Sequence, residues 1–393
     1  MNSVFFMHKK IIALKVLALA LCLFSWTGFA QEKDSLSVSN LNSNPLFLQD
    51  AVRKIYAENK NAIVKVFAAK EAKDASSYLL VGSGFFVGKE GHIITNATVT
   101  YGASKLWIEH EGIPYSAELV GLDPITNLSV IKAKGDFKSK DIPIVNIAGK
   151  NIEVVTAQML VTISSEMGQS PSPAFGLVTG HNIRFGEKIL PTVYIRTNIP
   201  LFGGSCGGAV FSIDGNFVGM TVANIPELGG SFVLPAKAAK RVFDDIILCG
   251  EPVYGWFGLR TQELSDSVNG TRVVVDMVLE KGPAKKAGFE IDDIVREVNL
   301  SKIKNDIDLR NATFFIRPGE KAHFKVERKG EIINLELLVE RMLSDVVNSQ
   351  MGALELSQSS MQVPMKNSNV NIFKNSENVE RNSDQDGSVD NFK

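Results

Sequence analysis

The chain has 393 residues, 45% of them hydrophobic and 22% charged, proportions of a folded globular protein that exclude a fibrous or wholly disordered one. Its 42 basic and 43 acidic residues nearly cancel and its five histidines do not cluster, so no electrostatic footprint for nucleic acid is present. The length exceeds what one hydrophobic core fills and predicts about two or three domains.

Residues 1–30 read as an export signal. Lys9, Lys10 and Lys15 precede an apolar run from Val16 to Trp26, and Gly28-Phe29-Ala30 offers small residues where a signal peptidase cuts. The run is too short for a spanning helix of about 20 residues, and Leu21 before Cys22 argues against lipid attachment. The segment holds three lysines and no acid, so its removal leaves a net charge near −4. The expectation is an exported protein, periplasmic or extracellular, without a stable membrane anchor. Only Cys206 and Cys249 then remain, and a chain able to build its own core does not need them paired.

Residues 31–45 are polar and rich in Ser and Asn, a flexible leader. Leu46, Leu48, Val52, Ile55 and Tyr56 recur at helical spacing and predict a short amphipathic helix. From Ala62 to about Gly230 the chain turns to short β-branched and aromatic runs, such as Ile63-Val64-Lys65-Val66-Phe67 and Leu128-Ser129-Val130-Ile131, separated by Gly, Asn, Asp and Pro. That rhythm predicts a sandwich or barrel. A helix over Pro235 to Leu248 ends at Cys249-Gly250-Glu251-Pro252, which marks a domain boundary. The second unit has strands near Val273 to Val278 and Ala322 to Val326 and a helix around Asp306 to Phe315, a small α+β domain. The last 36 residues include 13 Asn or Ser, so the tail is expected to be disordered.

The densest glycine cluster is Phe202-Gly203-Gly204-Ser205-Cys206-Gly207-Gly208. Glycines at this density let backbone amides converge on a small volume, as an oxyanion hole requires, with Cys206 the candidate nucleophile. For an isolated cysteine the commoner role is a buried structural thiol. No paired Cys/His spacing and no phosphate-binding loop entering a helix is found, so no metal and no cofactor is expected.

Several segments together resemble the HtrA (Deg) family of trypsin-like proteases. Gly82-Ser83-Gly84-Phe85-Phe86-Val87 is similar to its opening barrel strand, and Gly91-His92-Ile93-Ile94-Thr95-Asn96-Ala97-Thr98-Val99 to the segment ending in the catalytic histidine. Gly121-Leu122-Asp123-Pro124-Ile125-Thr126-Asn127-Leu128 resembles the segment bearing the aspartate, and Tyr194 through Gly208 the approach to the serine. The resemblance implies a mainly β fold, a trypsin-like double β-barrel followed by a small α+β PDZ domain. It also places Thr98 at the histidine position, Asn127 at the aspartate position and Cys206 at the nucleophile position, with Gly204, Ser205 and Cys206 forming the oxyanion hole. All three catalytic positions depart from the family. Thr98 does not exchange protons near pH 7 as an imidazole does, and Asn127 carries no charge to stabilise a cation. Loss of general-base help alone costs about 10²- to 10⁴-fold.

A thiol softens this argument, since it is intrinsically nucleophilic, and Gly204-Ser205-Cys206-Gly207-Gly208 resembles the nucleophile loop of chymotrypsin-fold cysteine proteases. Those enzymes still use a histidine. His92 lies six residues before Thr98 on the same apparent strand, and His110, His181 and His323 fall in segments with no neighbouring motif; none is assigned as base.

Tyr254-Gly255-Trp256-Phe257-Gly258-Leu259 and Glu280-Lys281-Gly282-Pro283-Ala284-Lys285-Lys286-Ala287-Gly288 resemble a PDZ domain of the HtrA type. That implies peptide binding at Trp256, Phe257, Gly258 and Leu259, where backbone amides hold a C-terminal carboxylate and the peptide adds as a strand.

The reading is therefore a signal peptide over 1–30, a leader over 31–45, a trypsin-like domain over 46–250, a PDZ domain over 253–345 and a tail over 346–393. The expected function is that of a degenerate protease, a pseudoprotease that binds unfolded polypeptide or protein C-termini in protein quality control. It would act alone, as a homo-trimer, or with an active relative. The alternatives are an endopeptidase using Cys206 and a redox-sensitive thiol protein.

Overall fold

The computed structural model describes residues 46–71, 77–149, 152–185, 188–225, 230–266, 270–343, 347 and 363–364. The expected signal peptide and leader and most of the expected tail lie outside the described residues.

A helix, α1 (Phe47–Asn59), precedes the first strands and buries Ile55. Six strands then close into a barrel: β1 (Ile63–Glu71), β2 (Ser77–Phe86), β3 (His92–Asn96), β4 (Lys105–His110), β5 (Ile113–Asp123) and β6 (Leu128–Ala133). They run in the order β1-β4-β5-β6-β3-β2, and β2 returns to pair with β1. Between β3 and β4 the one-turn helix α2 (Ala97–Thr100) is capped by Asn96, whose side chain accepts from Thr98 N, a short polar side chain satisfying an amide left without an intrahelical partner. A second closed barrel follows, from β7 (Met159–Ser164), β8 (Ser172–Phe185), β9 (Lys188–Thr197), β10 (Ala209–Ser212), β11 (Phe217–Ile225) and β12 (Gly230–Pro235).

The short apolar runs become strands buried on both faces. Along β7, β10 and β12 alternate residues separate into two clusters: Leu160, Val210 and Val233 join one, while Val161, Ile163, Ala209, Phe211 and Leu234 join the other. That is the two-residue period of a pleated strand. The second cluster also takes Phe85, Ile94 and Val130 from the first barrel, and Phe85 meets Phe217 at 5.5 Å. The barrels thus share a core, each fully buried large side chain contributing about 1.5–3 kcal/mol.

Helix α3 (Ala236–Cys249) follows Pro235 and ends at Gly250, a left-handed cap whose N–H reaches Ile246 O, the stop expected of glycine there. It buries Ala238, Ala239, Val242 and Ile246 against the shared core. The C-terminal unit comprises β13 (Gly255–Trp256), β14 (Leu259–Asp266), β15 (Gly270–Val278), the one-turn helix α4 (Pro283–Lys286), β16 (Ile294–Val298), β17 (Ser301–Lys302), helix α5 (Asp306–Phe314), β18 (Lys321–Arg328), β19 (Glu331–Leu338) and β20 (Glu340–Arg341). Its core is Val273, Val275, Phe289, Val295, Leu309, Phe324, Val326 and Leu337. In the tail, β21 (Val363–Pro364) pairs with Leu79 and Tyr78 of β2, so these two residues join the sheet where disorder was expected.

The C-terminal unit is fastened to the barrels by polar groups. Arg317 donates to Asp245 Oδ1 of α3 through Nε at 3.1 Å and Nη2 at 2.9 Å. The buried Arg241 guanidinium lies 5.1 Å from the Tyr254 ring and 4.6 Å from that of Phe314, and its Nη2 donates to Val253 O. Tyr254 Oη donates to the fully buried Asp123 at 2.5 Å. Among the described residues, no helix is long and apolar enough to cross a membrane.

Candidate functional site

The structure brings Thr98 and Asn127 together. Asn127 Oδ1 accepts from both Thr98 N and Thr98 Oγ1 at 2.9 Å, and Asn127 O accepts from Ala97 N at 3.1 Å. Asn127 takes a left-handed φ of 63°, a conformation Asn tolerates better than most residues. Thr98 sits in α2 beyond the end of β3, which corrects its expected place on the strand of His92. Cys206 meets the same region through β11. Asn127 Nδ2 donates to Val222 O at 3.2 Å, and a backbone hydrogen bond from Asn224 reaches the Cys206 thiol. Val222 and Asn224 are two residues apart, about 7 Å along a strand, so the three positions converge on one short stretch of β11.

The Cys206 side chain is buried in the second barrel's apolar cluster with Val210, Val218 and Val233. Burial pushes its thiol up to about 11, and the Asn224 bond only partly offsets this. The thiolate is the reactive form, so this burial disfavours the reactive form of Cys206 at neutral pH.

Around Cys206 the backbone carries the order. The Gly203 carbonyl accepts from Met167 N at 2.7 Å and the Ser205 carbonyl from Gly208 N at 3.1 Å. In a planar trans peptide the N–H points opposite the carbonyl, so the Gly204 and Cys206 amides face the other way. Neither donates to an acceptor among the described residues. The Ser205 amide is taken, donating to Phe202 O at 3.0 Å across a turn with Gly204 at φ 88°. The available donors are thus Gly204 and Cys206, and Ser205 drops out of the expected trio.

Sequence reasoning missed the residues that hold this loop. Ser83 of the first barrel donates from N to Cys206 O at 3.0 Å and from Oγ to Gly204 O at 2.7 Å, while its Oγ accepts from Ser165 N at 2.8 Å. Thr221 Oγ1, buried, donates to Ser205 O at 3.1 Å and accepts from Gly208 N at 3.0 Å. Ser83 and Thr221 are 121 and 16 residues distant in sequence from the loop carbonyls of Gly204 and Ser205 that they bind, and no local motif marks them. Exposed Met167 and Phe202 flank the loop, and Phe175 and Leu177 of β8 are exposed as well.

Among the described residues, no histidine is placed to act as the base. His110 is buried with Nε2 2.8 Å from Asn61 O and edge-on to Phe86, His92 is held below its usual pKa by burial and by Lys132, and His323 is exposed beside Glu336. His181 lines a cleft between β9, α3 and α5. Among the described residues no three His, Cys, Asp or Glu side chains converge as metal ligands.

Trp256, Phe257, Gly258 and Leu259 border a groove of about 350 Å³ between β14 and α5, with Leu309, Thr313 and Phe324 on its walls. The Phe257 and Gly258 amides donate to nothing among the described residues, while their carbonyls accept from Ala284 N and Leu279 N. Gly258 has φ 73°, and a Cβ there would lie 2.7 Å from Pro283 Cδ. Its close approach is therefore to the Gly282-Pro283 turn that shapes the loop. Ile125 and Pro191 of the barrels also border the groove.

The fold and site define a trypsin-like double barrel carrying a PDZ domain. Residues 82–220 match the trypsin-like peptidase domain family and residues 255–339 the PDZ domain family. The chain thus combines a trypsin-like peptidase domain with a PDZ domain, and it is similar to HtrA/Deg proteins. Probable periplasmic serine endoproteases of DegP-like type from Chlamydia muridarum and Hahella chejuensis are 27% identical over 276 residues and 29% over 277, covering 66% and 67% of this chain. The chain spans about half the length of these relatives, 53% and 58%. The HtrA-type protease AlgW bound to a tripeptide shares the fold with a TM-score of 0.63 at 24% identity, covering 74% of this chain and 97% of that one. A serine endoprotease from Yersinia pestis does so with a TM-score of 0.54 at 21% identity, covering 74% and 98%.

Proposed function

We propose that this is an exported HtrA/Deg protein that holds extended or unfolded polypeptide without cutting it. The observation that carries the reading is the Thr98–Asn127 pair. At the positions of the family's histidine and aspartate, a hydroxyl donates to an amide oxygen at 2.9 Å, and neither group titrates near neutral pH. A nucleophile at Cys206 would have to lose its proton unaided, from a thiol pushed up to about 11. The amides of Gly204 and Cys206 and the exposed Met167 and Phe202 support retention of a surface for polypeptide backbone and apolar side chains. The free amides at Phe257 and Gly258 support capture of a C-terminal carboxylate in the PDZ groove. Assembly as a homo-trimer, or with an active relative, is part of the same reading and is read out by sedimentation.

The test is cleavage of a fluorescent unfolded protein by the mature chain and by Cys206→Ala, with suppression of its aggregation measured in parallel. Neither protein is expected to cleave and both to suppress aggregation. Cleavage that disappears in Cys206→Ala would replace this reading with a cysteine endopeptidase.

A further inference from the structure

The outer edge of β2 carries a strand of the chain's own tail. On one side β2 pairs with β1 from Ser77 to Phe85, and on the other it pairs with β3 only from Gly84 to Phe86. Beyond β3 this second edge is met at Leu79 and Tyr78 by Val363 and Pro364 of β21, running antiparallel. The chain has returned to the barrels before it reaches that edge, since Val347 is buried in their shared core.

Ser83 shows which groups the edge presents. Its N–H points away from β1 and donates to Cys206 O at 3.0 Å. Along a paired strand the backbone N–H and C=O turn to the same side at every second residue. Val81 and Leu79 therefore also turn theirs outward, whereas Leu80 and Tyr78 turn theirs to β1. Val81 makes no backbone bond on the outer side among the described residues. Opposite Leu79 stands Val363, which has an N–H to exchange. Opposite Tyr78 stands Pro364, which has none and at that position needs none. The order Val-Pro thus suits the edge that β21 occupies.

The same edge leads to the Cys206 loop. Ser83 holds the Gly204 and Cys206 carbonyls and is four residues from Leu79, about 13 Å along a strand. The turn that bears exposed Met167 lies against this stretch, where a Cβ at Gly168 would be 3.9 Å from Val81 Cγ1. An extended polypeptide running from the loop along β2 would meet the open Val81 groups first and Leu79 next, where Val363 already stands. An open strand edge accepts one added strand, so the polypeptide and β21 exclude each other at Leu79.

Resting on the polypeptide-holding reading above and adding its regulation, we propose that β21 is an intramolecular competitor: Val363–Pro364 covers the outer edge of β2, and polypeptide held beside the Cys206 loop displaces it. Hydrogen exchange of the Leu79 and Val363 amides in the full mature chain reads the strand, and fluorescence anisotropy of a labelled unfolded polypeptide reads the competition. Val363→Pro removes the N–H facing Leu79. It is expected to speed exchange at Leu79 about tenfold and to tighten polypeptide binding about three- to tenfold, the worth of one net hydrogen bond. Pro364→Ala, which alters a position whose N–H points away from β2, is expected to change neither. Saturating the unsubstituted chain with polypeptide is expected to speed exchange at Val363 while Leu79 stays protected, because the incoming strand takes over its bond. Unchanged polypeptide affinity in Val363→Pro, unchanged Leu79 exchange in that variant, or unchanged Val363 exchange at saturation overturns this proposal and leaves the holding reading standing. Polypeptide bound by neither the unsubstituted chain nor Val363→Pro overturns the holding reading itself, and the competition with it.

Discussion

Thr98 Oγ1 donates to Asn127 Oδ1 at 2.9 Å, so two side chains 29 residues apart form a hydrogen-bonded pair in which neither member changes charge between about pH 5 and 9. The pair keeps the geometry of an oriented base without the base. Activity of the native chain is therefore expected to be absent and flat across that range. The substitutions Thr98→His, Asn127→Asp and Cys206→Ser made together should give cleavage about 10²-fold or more above background, rising with pH as the imidazole loses its proton. Hydrolysis of an unfolded fluorescent substrate at several pH values reads this out. A folded triple variant that stays inactive would show that the Gly204 and Cys206 amides do not form a working oxyanion cradle.

The two free cysteines differ in burial, Cys206 buried and Cys249 exposed. With a pKa of about 11, Cys206 is ionised to about one part in a thousand at pH 8, and alkylation needs the thiolate. Iodoacetamide at pH 8 should label Cys249 and leave Cys206 almost untouched in the native protein, with Cys206 labelling rising about tenfold per pH unit until its pKa is reached. Peptide mapping by mass spectrometry measures both sites. Equal labelling rates at pH 8 would contradict the burial of Cys206.

Much of this was legible from residues alone. The short β-branched runs gave a sandwich or barrel, which the resemblance made a double barrel, Pro235 and Gly250 bracketed α3, and the helix expected around Asp306 to Phe315 lies within one residue of α5. Thr98 and Asn127 were paired by resemblance, and the structure gives them a hydrogen bond. The supports were not legible, because they join distant segments through single atoms: Ser83 to Gly204, Thr221 to Ser205, Tyr254 to Asp123. Ser205 was wrongly grouped with the available amides, since whether an N–H is free depends on which way each peptide plane turns.

Gly207 illustrates how tightly the loop is held. Its φ is 93°, and a Cβ there would lie 2.0 Å from Ser83 O. Gly207→Ala therefore pays both for a backbone conformation unfavourable to L side chains and for displacing β2, a loss of about 3 kcal/mol or more. Gly112 has φ 80° with open space around it, so Gly112→Ala pays only the first cost, about 1–2 kcal/mol. Urea denaturation of the two variants measures the difference. A Gly207→Ala variant as stable as Gly112→Ala would show that the loop can move away from β2.

Tyr254 ties the PDZ domain to the loop of Asn127 through a carboxylate that no cation pairs with among the described residues. Asp123 accepts from Ile125 N at 3.0 Å, Thr126 N at 3.3 Å and Tyr254 Oη at 2.5 Å, and also from Thr126 Oγ1. Burial nevertheless raises its pKa, and these donors only partly offset it. The native state thus holds the Asp123 proton more firmly than the unfolded chain does. Stability from this group is greatest at low pH and falls as pH rises from 3.8 through the raised native value. Tyr254→Phe removes one donor to the carboxylate and raises the native pKa further. The substitution should cost about 1–3 kcal/mol, with the larger cost above the native pKa, where the lost bond is charge-assisted. Denaturant unfolding at pH 4 and pH 8 checks the sign. A larger cost at pH 4 than at pH 8 would contradict a charge-assisted bond from Tyr254 to Asp123.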